Sequence, residues 1–331
     1  METKDHVKQA QKTFSRLGWC YIAGTLAVYL LQAVLVYLLK EYKPEWTGNM
    51  DVLMILSVVI VYGCAMPLIA VLVKGMEVQK PERHKMRWWQ FLLAFVMCYS
   101  MVFVSNIVGV GITTVIGLLK GSAVENNMAG LVAGGNMLIN FVGIVVLAPI
   151  VEELVFRKLI IDRTAKYGQG IAILTSGLMF GLFHGNLNQF AYAMVLGCFF
   201  AFLYLRTGNL KITIAMHAII NFMGSMVAGG LMKMVRYDEL MMLAPDDTQT
   251  MMNMMAEDIL GWLLLVLYVF VLFALVITGL VFFILSIRKM KPVVQETDLQ
   301  GKEGMKALFV NPGMIVFCVI WVVLIVLQLF V

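Results

Sequence analysis

The chain has 331 residues, 61% hydrophobic and 14% charged, with a formal net charge of +5 and a mean hydropathy of +0.88. A soluble domain is nearer half apolar and a quarter charged, so this composition excludes one and points to an all-α, polytopic transmembrane bundle. The positive charge makes no case for nucleic acid, because the basic residues lie between apolar runs; the lipid bilayer is the expected partner.

Residues 1–17 are polar and hold Lys4, Lys8, Lys12 and Arg16. The apolar run that follows, to about Leu39, is too long for a signal-peptide core and lacks a clear cleavage site, so it reads as a retained first span. Nine apolar segments follow one another at roughly 18–39, 52–73, 88–119, 136–160, 168–184, 188–205, 211–231, 259–287 and 313–331. Most reach the ~20 residues that cross hydrocarbon, which gives about 8–9 spans. The fifth and sixth are short and joined by a tight polar turn.

Twenty of the 25 basic residues fall at the N-terminus and in the segments 74–87, 157–166, 206–211 and 288–306. Cytoplasmic loops carry the excess of Lys and Arg, so these five segments belong inside and a nine-span chain runs N-in, C-out. The expected location is the cell membrane, and the short loops suggest a bacterial protein. Gly177, Gly181 and Gly185 recur every fourth residue, a face that admits a close helix neighbour. The five cysteines, Cys20, Cys64, Cys98, Cys198 and Cys318, have neither metal nor disulfide spacing and read as small buried residues. The acidic, Met-rich stretch 232–258 reads as an amphipathic cover on the outside, and 288–312 as a flexible polar loop.

Chemistry concentrates in a few residues. Glu152 and Glu153 end a run without charge that begins after Glu125. A carboxylate at the centre of a membrane helix costs ~2.5–3.5 kcal/mol or more. Glu153 and Arg157 are i,i+4 and can pair, whereas Glu152 is rotated about 100° away and keeps its carboxylate free. Of four histidines, His6 and His84 lie in basic segments and read as solvated. His184 and His217 lie in apolar runs. Phe180 is i,i+4 to His184, and Asn221 is i,i+4 to His217. Counted from the inner ends of their helices, Glu152, His184, His217 and Asn221 lie roughly 16, 24, 9 and 15 Å deep, so they can converge. Pro149, one turn before the glutamates, is expected to kink the fourth helix.

Glu152-Glu153-x-x-x-Arg157, Phe180-x-x-x-His184 and His217-x-x-x-Asn221, in this order on three helices, resemble the CPBP family of CAAX prenyl proteases and bacteriocin-processing enzymes. The resemblance covers residues 130–230 of a single transmembrane domain, 1–331. The flanking spans, 1–120 and 240–331, carry no assignable motif. It implies an intramembrane endopeptidase acting on a peptide or membrane-protein substrate. Glu152 and His184 would activate water, His217 and Asn221 would hold the oxyanion, and Glu153, Arg157 and Phe180 would support them. No cofactor is then needed. A catalytic zinc on Glu152, His184 and His217 is the alternative, although Asn221 would then be idle. The sequence lacks the His-Glu-x-x-His, Gly-x-Ser-Gly and Gly-x-Gly-Asp signatures of other membrane proteases. Two further classes remain open: a transporter using the charged cluster as a relay, and a non-catalytic immunity or scaffold protein that binds peptide.

Overall fold

The structure is a computed structural model and describes residues 2–124, 135–244 and 246–330. Residues 130–134 of the expected core, residue 245 of the outer stretch and residue 331 of the last segment lie outside the described residues. All nine apolar segments form helices. In chain order these are α1 (Glu2–Tyr42), α2 (Met50–Leu72), α3 (Trp88–Lys120), α4 (Met137–Tyr167), α5 (Gln169–Phe183), α6 (Leu187–Thr207) and α7 (Leu210–Met234). Two short helices, α8 (Tyr237–Met242) and α9 (Thr248–Glu257), precede α10 (Ile259–Ser286), α11 (Gly301–Phe309) and α12 (Pro312–Gln328). The described residues contain no strand.

Among the described residues, seven helices are long and apolar enough to cross a membrane, and α11 with α12, bent by 72°, makes up to eight. The fifth expected segment, α5, has only 15 residues and falls short of a span. It compensates by pairing closely with α6. A Cβ on Gly181 would stand 2.9 Å from that of Met194, and one on Gly197 2.8 Å from the Gly177 Cα. Gly185 does not extend this face, because the helix stops at Phe183 and Gly185 takes φ +67° to turn the chain into α6. A positive φ suits glycine, which has no Cβ to clash.

Two helices widen where proline interrupts them. Pro67 and Pro149 offer no N–H, and the preceding residue in each case reaches back five positions, Met66 to Val61 and Ala148 to Gly143. Both therefore carry a π-helical stretch, 59–65 in α2 and 141–147 in α4. Two further stretches occupy 153–159 and 222–227. The expected kink at Pro149 thus takes the form of a widened turn.

The basic segments gather at one end of the bundle. The N–H of Gln79 donates to Asp162 O at 2.6 Å, and that of His84 to Thr207 O at 2.9 Å. Lys166 pairs with Glu77, and His6, only half-buried, packs its ring 5.5 Å from Tyr167. The stretch 288–312 is not a free loop. Leu299 N donates to Tyr167 O at 2.9 Å, and α11 follows it. At the other end, Arg236 bonds Asp258 at 2.6 Å and Glu257 at 2.7 Å, tying α8 and α9 across the stretch 232–258. Those two carboxylates hold the guanidinium even more firmly protonated than usual. All five cysteines are free, and Cys64, unlike the expectation, is exposed.

Because five basic segments share an end, single cysteines in 74–87 and in 232–258 of a cysteine-free protein are expected to label from opposite sides of the membrane. Labelling from the same side would overturn this topology.

Candidate active site

The described geometry centres on α4. Glu153 and Arg157 have no exposed surface, and Glu153 Oε1 lies 2.9 Å from Arg157 Nη2. Two unscreened charges at this depth persist only if they neutralise one another. The guanidinium also has two rings beside it. Phe180 of α5 lies 4.1 Å from it and Phe200 of α6 5.6 Å, a cation–π arrangement. These faces take the place of acceptors: none of the three guanidinium nitrogens of Arg157 makes a hydrogen bond among the described residues, and Nη2 meets Glu153 as an ion pair.

The backbone around the pair is anchored from outside. Tyr21 of α1 donates to Val155 O at 2.6 Å, and Ser176 of α5 donates to Phe156 O at 2.7 Å. Both carbonyls sit in the widened turn 153–159, where the regular ladder is disturbed and external donors are needed.

Glu153 has a second partner that the i,i+4 pairing did not reveal. The same Oε1 lies 3.0 Å from His217 Nδ1 on α7. A carboxylate held by Arg157 can only accept, so Nδ1 carries the proton and Nε2 points onward. That Nε2 lies 3.8 Å from Glu152 Oε2. His184 is fixed in the same manner. Its Nδ1 lies 2.8 Å from Phe180 O, which can only accept, so Nε2 of the neutral ring keeps its lone pair. The Phe180 ring is nearly perpendicular to both imidazoles, with centroids 4.8 Å from His184 and 5.9 Å from His217.

Two placements differ from the sequence expectation. Glu152 is not free: the Tyr62 hydroxyl of α2 donates to its Oε1 at 2.6 Å. Asn221 donates from Nδ2 to Ile144 O on α4 at 2.9 Å, bridging α7 to the first widened turn of that helix. Tyr62 is the residue that sequence reasoning missed. Its signal was position: tyrosines favour the two membrane interfaces, and this one lies mid-span within 52–73. Among the described residues no three His, Cys, Asp or Glu side chains converge closely enough to hold a metal ion.

Glu153→Gln keeps the shape but leaves the buried guanidinium without its counter-charge. Losing one member of a buried pair costs ~3–5 kcal/mol. Thermal unfolding of the purified variant in detergent is expected to shift well below that of the native protein, and an unchanged transition would contradict the pairing.

Comparison with known proteins bears on this same segment. Residues 134–223 match the family described as Type II CAAX prenyl endopeptidase Rce1-like. Curated relatives include human CAAX prenyl protease 2, 36% identical over 100 residues, which are 24% of this chain and 30% of the relative. The membrane-embedded CAAX protease MroQ of Staphylococcus aureus (strain USA300) is 28% identical over 154 residues, 44% of this chain and 59% of the relative. The putative membrane peptidase YdiL of Bacillus subtilis (strain 168) is 35% identical over 77 residues, 23% and 32% of the two chains. The chain thus spans less than two thirds of each of these relatives. No solved structure matches it significantly. The resemblance carried by the three ordered motifs is borne out by these matches: residues 134–223 are similar to CAAX-protease-like membrane proteins, consistent with the CPBP family.

Proposed function

We propose that the protein is an intramembrane endopeptidase that hydrolyses a peptide bond with a water activated by Glu152 and His184. The observation that carries this reading is His217, which faces both Glu152 and Glu153 and packs with His184 against Phe180, beside the buried Glu153–Arg157 pair. Each imidazole is oriented by an acceptor at its Nδ1, and Nε2 of His217 faces Glu152.

In this reading Glu152 accepts a proton from water while the water oxygen attacks the scissile carbonyl carbon. His184 Nε2 is a second acceptor for the same water. The carbonyl electrons move onto oxygen, and that oxyanion takes hydrogen bonds from His217 and Asn221. With Nδ1–H on Glu153, His217 donates from Nε2 as the imidazolium, which has a carboxylate on either side. Asn221 spends one N–H on Ile144 O, which fixes the amide plane, and has its second N–H for the oxyanion. Collapse of the intermediate breaks the C–N bond, and the proton held on Glu152 passes to the leaving nitrogen. Tyr62 positions Glu152 and occupies one of its oxygens, leaving the other for the water.

No metal enters this scheme, which rests on the chemistry of the donor set. Asn221 is a poor zinc ligand and a good oxyanion donor, and its interhelical bond orients it for that use. The substrate is a peptide or membrane-protein segment that reaches the bilayer. Action on a prenylated C-terminus, as the names of the relatives suggest, and on other membrane-associated peptides are both within this proposal.

Asn221→Ala separates chemistry from helix bonding. A lost oxyanion donor lowers kcat ~10²–10³-fold, whereas an interhelical hydrogen bond in a membrane averages about 0.6 kcal/mol. The variant is expected to keep nearly its native melting temperature and peptide affinity while single-turnover cleavage falls at least about a hundredfold. The native protein, stripped of metal and checked by elemental analysis, is expected to cleave at its full rate. A normal single-turnover rate in the variant would end the oxyanion assignment, and activity restored only by stoichiometric zinc would end the metal-free one.

A further inference from the structure

A cleft of about 710 Å³ lies at the basic end, away from the site, between α1, the end of α2 and the bend that joins α11 to α12. Its upper wall carries Lys8, Lys12 and Arg16. These are spaced four apart, so they form one stripe along α1, with steps of ~6 Å. All three are exposed, and among the described residues none has a carboxylate within ion-pair distance. Deeper in the same cleft the lining changes to Trp19, Ala23 and Leu72. Trp19 is 47% exposed at the point where the charges stop, the position tryptophans take at a membrane interface.

The opposite wall is held in place. Gln11 Nε2 donates to Val310 O at 2.6 Å, and Gly313 N donates to Ser15 Oγ at 3.0 Å. The Asn311 side chain donates to Leu308 O at 2.8 Å and accepts from Met314 N at 3.0 Å, so the bend itself is braced from within. The cleft is therefore a built feature between two fixed helices.

We infer that this cleft binds an anionic glycerophospholipid of the leaflet at the basic end, with its phosphodiester on Lys8, Lys12 and Arg16 and its chains descending past Trp19 and Leu72. The order of surfaces down the wall matches that molecule and no soluble anion: unpaired cations, then an interfacial ring, then aliphatic side chains. A free phosphate would use the cations and leave the lower half unexplained. A zwitterionic lipid would bring its own cation against the stripe. This inference does not depend on the proposed proteolysis, because none of these residues belongs to the site.

The test uses the full chain in phosphatidylcholine bilayers that contain brominated lipid, which quenches nearby tryptophan. The Trp19-dependent signal is the difference between the native protein and Trp19→Phe. Brominated phosphatidylglycerol at low mole fraction is expected to quench it more than brominated phosphatidylcholine does. Each cation near an anionic surface contributes roughly a fivefold preference, so Lys12→Gln should lower the selectivity about fivefold and the triple Lys8→Gln, Lys12→Gln, Arg16→Gln variant should abolish it. Equal quenching by the two lipids, or full selectivity in the triple variant, would overturn the assignment. Competition by inorganic phosphate at matched ionic strength would show a phosphate site and would overturn it as well. Lys12→Gln alone changes one exposed side chain, so the test holds even where the triple variant assembles poorly.

Discussion

The buried pair of Glu153 and Arg157 is the constraint on which the site depends. Neither side chain touches solvent or lipid, and neither could stay charged alone at that depth. The pair draws four helices together. It is anchored on α4, faced by Phe180 from α5 and Phe200 from α6, and bonded to His217 on α7. Its consequence is directional. By accepting from Nδ1 of His217, Glu153 fixes which nitrogen of that ring faces Glu152. The second carboxylate of the Glu-Glu pair thus shapes the surroundings of the first without facing the same space.

Local departures from regular helix supply the rest of the geometry. Tyr62, the Ile144 carbonyl that holds Asn221, and the Glu153–Arg157 pair all lie within π-helical stretches, and a fourth stretch begins just after Asn221. A widened turn rotates the side chains that follow it and frees carbonyls for partners from other helices. Pro67 and Pro149 account for two of these stretches through their missing N–H groups. For 153–159, the donors from Tyr21 and Ser176 meet the backbone groups that the ladder leaves open.

Much of this was legible because membranes penalise polar side chains. A glutamate pair, two histidines and an asparagine in apolar runs have few explanations, and helical spacing sorted them into neighbours. The Glu153–Arg157 contact followed from i,i+4 spacing even though the helix widens there. What spacing could not give was contact between helices. The bond from Tyr62 to Glu152 spans 90 positions and that from His217 to Glu153 spans 64, and neither leaves a periodic trace. Pattern also overextended at Gly185, where the four-residue rhythm continues past the end of α5 into a turn. Likewise the polarity of 288–312 suggested a loose loop, because polarity alone does not show that Leu299 bonds Tyr167 or that α11 packs behind it.

In the proposed mechanism Glu152 performs the chemistry and Glu153 maintains the architecture. This division of roles is tested most directly by comparing peptides released from membranes of cells that carry the native protein with those from cells carrying Glu152→Gln at equal abundance. The expected result is a set of cleavage products present with the native protein and missing with the variant, while the variant remains folded and in the membrane. An identical peptide profile from both cells, with both proteins intact, would contradict the assignment of Glu152 as the residue that activates water and would favour a binding or transport role for the same site.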